Sequence, residues 1–577
     1  MMQSAVIKKR YTSVAEQKAI GATYTPARLA DFVAEKIVEV ANVVGIENIN
    51  VLDPAVGDGE LLLSLLRKLC PHAKSTVIVH GFDTDKIAIR ETRRRISIEF
   101  PKVELHLELV NFLDFVISQR DTKASTLWSA PQAPVLFDII IANPPYVRTQ
   151  IMGAGQAQEL TSVFGLSGRV DLYHAFLIGM AQVLRPGGTA GIIVSNRFMT
   201  TKGGASVREA LHTRFALRHI WDLGDTKLFD AAVLPAVILA EGRNDHTPEP
   251  TAFSSIYETD DPAAIEVADP IAALAMVGTV SLTDGRRFRV QHGTLDRAGK
   301  DGIWRIATDS SDAWLATVKA HSWGTFRDIG KIRVGVKTCA DKIFIRSDWD
   351  SLPKHEQPEL LRPLTTHHIA RRFRAASPKK ALEILYPHEV VQGQRRAVDI
   401  ASYPKTRNYL ESHRPPLEGR SYVIEGGRLW YEIWVPQDPA AWAAPKLVFR
   451  DISEQPTFWI DLDGSIVNGD CYWITAARAD QEHLLWLAAA VANSTFAEAF
   501  YDHRFNNKLY AGRRRFITQY VEQFPLPDPA TTLAHDIIAG AKAIYEAVGT
   551  ANAVAMEKRL DQMVWQAFGL PFEEVTR

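Results

Sequence analysis

In the first part of the chain, short apolar runs alternate with segments of helical periodicity. Apolar residues recur at helical spacing from Leu29 to Val40, and Pro26 stands where the first turn of a helix tolerates proline. Apolar runs that end in turn residues then alternate with helical segments as far as AVLPAVILAEG, which ends at Gly242. This alternation predicts an α/β domain with a largely parallel sheet that helices cover on both faces.

The strands and one long helix of this domain can be named from the pattern. The helical spacing predicts a helix at 172–184, which the turn sequence RPGG at 185–188 ends before the next strand. The predicted strands lie in the runs NINVLD, STVIVHGF, VELHLEL, VLFDIIIA, TAGIIVSN, LRHIWDL and AVLPAVILAEG.

The periodic pattern stops at 242–255, where GRNDHTPEPTAFSS replaces it with prolines and polar residues. We therefore predict two domains, 1–245 and 246–577. Beyond this point, the short runs KIRVGVKT, KIFIRS, PKLVFRDI, PTFWIDL and CYWITAA suggest strands, and LLWLAAAVANSTFAEAFY and 532–568 suggest helices. The second domain is expected to be mixed α+β.

Composition narrows the class of protein. With 577 residues the chain exceeds the size at which single hydrophobic cores stop growing, so more than one domain is expected. No apolar stretch reaches the roughly 18 to 20 residues that span a bilayer, and the first ten residues lack the features of a secretory signal. The three cysteines are scattered singly, which indicates neither a disulfide framework nor a metal site. We expect a cytoplasmic protein that has no membrane partner.

A glycine-containing turn between a strand and a helix is the first candidate for chemistry. It runs from Asp53 to Gly59 and matches neither the dinucleotide fingerprint nor a phosphate loop. Asp53 would repel a pyrophosphate but suits the ammonium group of an amino-acid-like ligand, and Asp83 ends the next strand where a carboxylate binds ribose hydroxyls. Asp53 alone is equally consistent with a simple helix-entry turn. Together, the two residues favour S-adenosylmethionine as the cofactor.

The sequence NPPY at 143–146 follows a strongly apolar strand. The side-chain carbonyl of Asn143 and the main-chain carbonyl of Pro144 are two acceptors, which suit the two N–H groups of adenine N6 as the amine attacks a methyl group. Proline after Asn143 favours an extended continuation of the strand, and Tyr146 can stack on the base. A plain Pro-Pro turn is the alternative.

These motifs resemble the N6-adenine DNA methyltransferases of the gamma class, the TaqI-like and Eco57I-like family. The resemblance rests on GATYTP, DPAVGDG, GFDTD, NPPY and the later DLYHAF, LRPGG and LFDAAVLPAVILA. It implies a class I S-adenosylmethionine-dependent methyltransferase domain with a Rossmann-like fold, followed by a target-recognition domain. Asn111 stands where the family usually has Asp. The implied cofactor positions are Tyr24, Thr25, Pro26, Asp53, Ala55, Gly57, Asp83, Asn111 and Phe112.

The resemblance also implies a catalytic set and a DNA substrate. The implied catalytic residues are Asn143, Pro144, Pro145 and Tyr146. Because duplex DNA hides adenine N6, the base must be extruded, and we expect Tyr146 and Phe229 to stack on its two faces. Taken alone, Phe229 is more typical of a hydrophobic-core residue than of an active-site residue. Candidates for phosphate contacts, each of which could equally be a solvated surface residue, are Arg371, Arg372, Arg374, Arg513, Arg514 and Arg515.

Two other functions use the same residues. An RNA-adenine or protein-glutamine methyltransferase could use the same turn, because the amine or amide nitrogen that it methylates is a similarly poor nucleophile. The large second domain favours DNA. A non-catalytic DNA-binding module on a degenerate methyltransferase fold would not need intact Asn143, Tyr146, Asp53 and Asp83. The preferred hypothesis is a monomeric modification enzyme that protects host DNA and is paired with a separate restriction endonuclease.

Overall fold

The computed structural model describes residues 25–121, 135–146, 162–166, 171–229, 234–244, 250–297, 302–505 and 513–572. The chain divides into two compact units, and the division falls after Thr308. Among the described residues, no helix combines the length and the apolar character needed to cross a membrane.

The first unit contains twelve described strands. They are β1 Asn48–Asp53, β2 Thr76–Phe82, β3 Glu104–Glu108, β4 Phe137–Ala142, β5 Leu184–Ser195, β6 Phe215–Asp222, β7 Pro235–Gly242, β8 Ala252–Glu258, β9 Ile265–Val267, β10 Gly278–Leu282, β11 Arg287–Asp296 and β12 Arg305–Ala307. Its described α-helices are α1 Ala27–Val40, α2 Glu60–Leu69, α3 Lys86–Glu99, α4 Phe112–Asp121, α5 Leu172–Val183, α6 Ala205–Arg214 and α7 Pro270–Ala273.

All twelve strands form one sheet, in the order β3-β2-β1-β4-β5-β7-β6-β8-β11-β10-β9, with β12 paired to β11. The first five strands in this order are parallel, and β7 is antiparallel to both β5 and β6. The carboxyl ends of the parallel strands therefore meet at one edge of the sheet, which is the edge where open α/β sheets bind ligands.

Alternate side chains explain why the strands are continuously apolar. Ile139 and Ile141 of β4 pack into the hydrophobic cluster on one face of the sheet. Ile140 and Ala142 pack into the cluster on the opposite face. Since both faces are buried, positions 139–142 of the strand are all apolar, as expected of parallel sheets covered by helices. The predicted α/β domain is confirmed. The RPGG sequence differs from the prediction, because it lies inside β5 rather than between the helix and the strand.

The predicted domain boundary at 245/246 falls inside the first unit. Strand β8 begins at Ala252 and pairs in parallel with β6, and β11 then pairs with β8. These hydrogen bonds extend the sheet past the proline-rich stretch, so the first unit continues to Thr308. Proline and polar residues here mark a connection between two strands of one sheet, which local composition cannot distinguish from a linker between domains.

The second unit is mixed α+β, as predicted. Its described strands are β13 Gly324–Thr325, β14 Arg333–Val334, β15 Ile345–Arg346, β16 Leu361–Thr365, β17 Leu382–Leu385, β18 His388–Val391, β19 Gln394–Ala397, β20 Lys446–Arg450, β21 Ile452–Ser453, β22 Phe458–Asp461, β23 Ile466–Val467, β24 Cys471–Ile474, β25 Arg514–Arg515 and β26 Pro525–Leu526. Its described α-helices are α8 Asp309–Ala320, α9 Phe326–Ile329, α10 Asp341–Phe344, α11 Pro404–Ser412, α12 Arg414–Glu418, α13 Ser421–Glu425, α14 His483–Ala492, α15 Thr495–Phe505, α16 Thr518–Val521, α17 Thr532–Ala547 and α18 Ala551–Ala567.

Two sheets of four strands, β14-β24-β20-β22 and β15-β17-β16-β23, organise this unit. Tryptophans fill much of the core that they share, including Trp349, Trp442, Trp459 and Trp473. The run KIFIRS is only partly a strand, because helix α10 covers its start and β15 follows. The run LLWLAAAVANSTFAEAFY is helical as predicted, but it forms two helices that are separated at Asn493. The side chain of Asn493 binds the main chain of Phe458 at 3.0 and 2.9 Å, which fixes this break.

Candidate active site

Three of the predicted polar residues lie at the same edge of the sheet, namely Asp53, Asp83 and Asn143. Leu52 of β1 pairs with Ile140 of β4, so Asp53 and Asn143 follow neighbouring parallel strands. Asp53 in turn pairs with Gly81 of β2, two residues before Asp83. The topology thus brings together residues that are up to 90 positions apart in the sequence, counted from Asp53 to Asn143.

The turn after β1 is tied to the end of β2 by main-chain hydrogen bonds. The N–H of Gly57 donates to Asp83 Oδ2 at 2.9 Å, and the N–H of Val56 donates to the carbonyl of Phe82 at 2.9 Å. Gly59 adopts φ +82°, and a Cβ there would lie 2.9 Å from Thr92 Cγ2. The turn therefore requires glycine at Gly59 and holds the Asp83 carboxylate against its main chain.

Asp53 is fully buried and only half of its carboxylate is satisfied. Oδ1 accepts a hydrogen bond from the N–H of Ala55 at 3.0 Å, whereas Oδ2 has no hydrogen-bond partner among the described residues. Burial, together with the charges of Asp83 and Asp58, raises the pKa of Asp53 to about 7. A buried carboxylate oxygen that lacks a partner suits a cationic ligand group, and the residues present therefore fit the ammonium end of an amino-acid-like cofactor.

Asn143 is joined to the start of the described chain. Its Nδ2 donates to Thr25 Oγ1 at 3.0 Å. This hydrogen bond fixes which end of the amide group is the nitrogen. The opposite end is the carbonyl oxygen, which is a hydrogen-bond acceptor. The contact brings a residue expected beside the cofactor next to the residue expected to carry the chemistry. Tyr24 lies outside the described residues, and Pro26 precedes α1 and accepts from the N–H of Leu29 at 2.9 Å.

The rest of the NPPY turn packs against the sheet. Pro144 is buried, and Pro145 and Tyr146 are half-buried. The Tyr146 ring contacts Tyr173 edge to face, with 5.9 Å between ring centroids. Its hydroxyl is buried and makes no hydrogen bond to a described residue, and burial raises the pKa of Tyr146 well above its usual value. Tyr146 is therefore held as a neutral aromatic ring.

Asn111 and Phe112 begin α4. Asn111 Oδ1 accepts from the N–H of Leu113 at 3.0 Å, so the side-chain carbonyl caps the helix. The NH2 group of the same side chain is directed away from this cap. The Phe112 ring is 1% exposed and lies 5.8 Å from Phe82 and 5.6 Å from Phe176. The structure thus places Phe112 in an aromatic core, and its contact with the cofactor stays a prediction.

Comparisons with known proteins agree with this arrangement. The family model described as Eco57I restriction-modification methylase matches residues 78–229, which include Asp83, Asn143 and Phe229. Type II methyltransferase M.BanIII of Aneurinibacillus aneurinilyticus is 37% identical over 571 residues, covering 96% of this chain and 98% of that protein. The chain belongs to the type II restriction-modification methyltransferases. The predicted family is confirmed, and DNA methylation within restriction-modification systems is its activity.

Further relatives of this methyltransferase extend the same conclusion. Type II methyltransferase M.XhoI of Xanthomonas vasicola is 26% identical over 534 residues, covering 88% of this chain and 91% of that protein. The structure of the Type IIL restriction-modification enzyme MmeI in complex with DNA matches with a TM-score of 0.59 and 14% identity, covering 98% of this chain and 78% of that chain. Such a low identity bears on the fold alone, and the predicted class I methyltransferase fold is confirmed.

The methyltransferase buries Phe229 at the end of the connection from β6 toward β7. The side chain is 7% exposed and belongs to the hydrophobic cluster that contains Trp221 and Leu223. Tyr146 packs against the cluster on the other face of the sheet. The Phe229 ring is thus part of a hydrophobic cluster, and its stacking on an extruded base stays a prediction.

The RRFR arginines of the methyltransferase differ in their surroundings. Arg371 and Arg374 are exposed. Arg372 donates to the main-chain carbonyl of Asn493, and its guanidinium lies 3.3 Å from the carboxylate of Glu557. Arg374 lies 3.9 Å from the carboxylate of Glu546 and over the ring of Tyr545, but it is exposed. Arg371 and Arg374 therefore stay candidates for phosphate contacts, whereas Arg372 is half-buried and bound to internal partners.

The GRRRF arginines also divide. Arg513 is exposed, with its guanidinium 3.5 Å from Glu454. Arg515 donates twice to Asp451, at 3.0 and 2.7 Å. Arg514 is 8% exposed and donates twice to Asp502, both at 2.8 Å. Burial and pairing give Arg514 a structural role, which corrects the prediction of a phosphate contact at this position.

Sequence reasoning missed a polar cluster at the same edge of the sheet. Asp222 ends β6 and accepts hydrogen bonds from Asn196, which follows β5, and from Tyr257 in β8. These partners lie 26 and 35 residues from Asp222, so no short motif joins them. The available signal was an aspartate that ends an otherwise apolar predicted strand, as Asp53 ends β1.

Proposed function

We propose that this methyltransferase transfers the methyl group of S-adenosylmethionine to adenine N6 in duplex DNA. The observation that supports the proposal best is the hydrogen bond from Asn143 Nδ2 to Thr25 Oγ1 at 3.0 Å. It sets the orientation of the amide so that Asn143 offers an oxygen acceptor at the carboxyl edge of the sheet. An exocyclic amine needs such an acceptor, because its lone pair is delocalised into the ring.

The chain's own groups would hold the amine and stabilise the charge that develops on it. Asn143 Oδ1 and the main-chain carbonyl of Pro144 accept the two N–H groups of the base, and the dipoles of these carbonyls favour positive charge on nitrogen during attack. No strong base is required beforehand, since the proton leaves readily once nitrogen is positive. When bound, S-adenosylmethionine supplies a methyl group on a positively charged sulfur.

The cofactor would lie along the turn that joins β1 to α2. Asp53 pairs with its ammonium group, and Asp83, which stands beside the turn, accepts from the ribose hydroxyls. Ala55, Gly57 and Thr25 would complete the wall of this site. Asn111 would meet the adenine ring of the cofactor through its NH2 group, because its carbonyl caps α4.

The target base must leave the helix to reach Asn143. Unstacking costs a few kcal/mol, and stacking of the extruded adenine between the rings of Tyr146 and Phe229 offsets part of that cost. Exposed arginines of the second unit, Arg371, Arg374 and Arg513, contact phosphates. We propose further that the protein acts as a monomer and protects DNA from a separate restriction endonuclease.

The test is transfer of labelled methyl groups to unmethylated genomic DNA, followed by digestion to nucleosides and mapping of modified positions. We expect N6-methyladenine within one short recognition sequence. Asn143→Ala should lower the rate at least 100-fold, because one acceptor in a dry site is lost. Asn48→Ala, at an exposed asparagine at the start of β1, is the matched control and should match the unaltered protein.

Parallel reactions with ribosomal RNA and with protein substrates separate this proposal from the alternatives. Methylated RNA-adenine or protein glutamine together with unmodified DNA would contradict it. Cofactor binding without turnover on any substrate would instead support a non-catalytic DNA-binding protein. Gel filtration that showed a stable dimer at working concentration would contradict the proposed monomer.

A further inference from the structure

A buried carboxylate that the proposed chemistry does not use joins three strand ends of the first unit. Asp222, at the end of β6, is 3% exposed. Its Oδ2 accepts from the hydroxyl of Tyr257 at 2.7 Å, and its Oδ1 accepts from Asn196 Nδ2 at 2.9 Å and from the N–H of Gly224 at 3.1 Å. Asn196 Nδ2 also lies 3.3 Å from the Tyr257 hydroxyl. The cluster is therefore a closed hydrogen-bonded network.

The network is built for the ionised form of the acid. All three partners of Asp222 donate to the ionised carboxylate, whereas a proton on Oδ2 would require the Tyr257 hydroxyl to turn and accept instead. Burial raises the pKa of Asp222 to about 6, while the hydrogen bonds from Tyr257 and Asn196 oppose that rise. A buried charge is costly unless its hydrogen bonds are satisfied, and a fully satisfied one fixes a single local geometry.

The segment that follows Asp222 is held at several points. The N–H of Leu223 donates to the carbonyl of Pro235 at 3.0 Å. Gly224 adopts φ +48°, and a Cβ there would lie 2.2 Å from the carbonyl oxygen of Ile256, so no other residue fits. Arg286 donates to the carbonyl of Thr226 at 3.0 Å. The chain from Leu223 onward is thus a constrained connection that leads directly to Phe229.

The same network joins this connection to the catalytic side of the sheet. Asn196 directly follows β5, and its N–H donates to the carbonyl of Leu234 at 2.8 Å, just before β7. Strand β5 is the immediate neighbour of β4, which ends at Ala142, just before Asn143. A single carboxylate therefore fixes the position of the 223–229 segment relative to the strand next to the proposed catalytic turn.

We infer that Asp222 is a positioning residue, which holds the 223–229 segment through Tyr257, Asn196 and Gly224 and so sets the ring of Phe229 for stacking on the extruded base. The inference rests on the proposed function, since it assigns the network a purpose in base stacking. Asp222 itself touches neither the base nor the cofactor in this assignment. Its effect on catalysis passes through Phe229.

The first experiment measures amide hydrogen exchange and does not depend on any substrate. In Asp222→Ala, amides of 223–229 should exchange at least tenfold faster than in the unaltered protein, while amides of α2 stay within threefold. Asp222→Asn is the matched control. Its oxygen can still accept from Asn196 and Gly224, and its NH2 can donate to the Tyr257 hydroxyl, so exchange should stay within threefold.

The second experiment is a double-mutant cycle on the single-turnover rate of DNA methylation. Asp222→Ala should slow methylation at least tenfold with a cofactor Kd within threefold, and Asp222→Asn should restore the rate. If Asp222 acts through Phe229, the variant with both Asp222→Ala and Phe229→Ala should be no slower than Phe229→Ala alone. Additive effects would overturn the inference, because a general loss of structure or an independent role would slow both backgrounds equally.

The outcomes separate this inference from the proposed function. Unchanged exchange in a folded Asp222→Ala protein overturns the inference, whatever the substrate turns out to be. If the unaltered protein methylates no adenine, the proposed function fails, and the exchange result still decides whether Asp222 holds the segment. If Asp222→Ala does not fold, Tyr257→Phe removes one donor while keeping the ring, and the same measurements and criteria apply to it.

Discussion

At the residue scale, the site depends on polar atoms whose partners are set by the fold. Asp53, Asp83 and Asn143 could be predicted because each directly follows a buried strand, and parallel strands deliver such residues to one edge. The burial of Arg514 could not be predicted, since its partner Asp502 lies on a different element. The role of Asp222 was hidden for the same reason, as its partners come from two other strands.

Thr25 offers a direct test of how the Asn143 amide is oriented. Thr25→Val removes the acceptor for Asn143 Nδ2 and keeps nearly the same shape, so the amide loses its preferred orientation. We expect kcat for DNA methylation to fall by about 10- to 100-fold. Thr25→Ser keeps the hydroxyl and should stay within about threefold of the unaltered protein. Equal kcat values for the valine and serine variants would show that this hydrogen bond does not orient the amide.

Asp53 predicts a pH dependence of cofactor binding. Its pKa is raised to about 7 by burial, so a large part of the free protein is protonated near neutral pH. Only the carboxylate pairs with an ammonium group, and binding must therefore release a proton at lower pH. The affinity for S-adenosylmethionine should fall by about tenfold for each pH unit below pH 7.

Isothermal titration calorimetry between pH 5.5 and pH 7.5 measures this dependence. Asp53→Asn provides the control, because an amide does not titrate in this range. It should bind the cofactor weakly, with an affinity that changes little with pH. A steep pH dependence that persisted in Asp53→Asn would assign the effect to another group, such as Asp58, whose pKa is also raised by burial.

At the element scale, apolar runs predicted the first seven strands of the first unit, because burial on one or both faces leaves a strong pattern. The strands from β8 to β12 lie beyond the predicted domain boundary and were not predicted. Short strands of the second unit were harder to predict. Strand β14 has two residues, and α10 begins within a run that contains several apolar and β-forming residues. Elements of this length are set by contacts with the rest of the unit, which propensity does not contain.

The turn between β1 and α2 depends on the glycine at Gly59. A comparison of Gly59 with Gly187 separates the cost of a left-handed backbone from the cost of a steric clash. Gly187 has φ +73° with no described atom within 4 Å of a Cβ, so Gly187→Ala should cost only the left-handed backbone, about 1 kcal/mol. Gly59 has φ +82° and a Cβ would also meet Thr92 at 2.9 Å. Gly59→Ala should therefore lower the free energy of unfolding by about 2 to 3 kcal/mol.

Urea unfolding of both variants provides the measurement, with unchanged m-values as the condition for comparing them. Only the Gly59 substitution should also weaken cofactor binding, since Gly187 lies inside β5 and away from the turn. If the two substitutions destabilise the protein equally, the contact with Thr92 contributes nothing, and the left-handed conformation alone explains the requirement for glycine.

At the scale of the whole molecule, the net charge of -1 gives no sign of a DNA partner. Many of the described arginines are also paired with acids inside a unit, which leaves them less available to phosphates. Arg514 and Arg515 make bidentate pairs with Asp502 and Asp451. We therefore expect attraction to phosphates to come from exposed arginines without such bidentate pairs, and sequence clusters such as GRRRF overstate their number.

Arg371 is the exposed arginine that tests this most directly. No hydrogen bond or ion pair joins it to the described part of the chain, so its guanidinium can bind a phosphate without first losing an internal partner. Arg371→Ala should weaken binding to all duplexes alike and reduce the slope of log affinity against log salt by about 1. Sequence preference should not change, because a phosphate contact carries no base information.

Arg478 provides the matched comparison, because it is equally exposed but forms a two-hydrogen-bond pair with Asp480 at 2.9 and 3.0 Å. Removing a side chain whose charge is already paired locally should leave the salt slope unchanged. Fluorescence anisotropy over a range of salt concentrations distinguishes the two variants. A loss of slope in Arg478→Ala but not in Arg371→Ala would mean that internal pairing does not decide which arginines meet DNA, and the division of arginines by their pairing would fail.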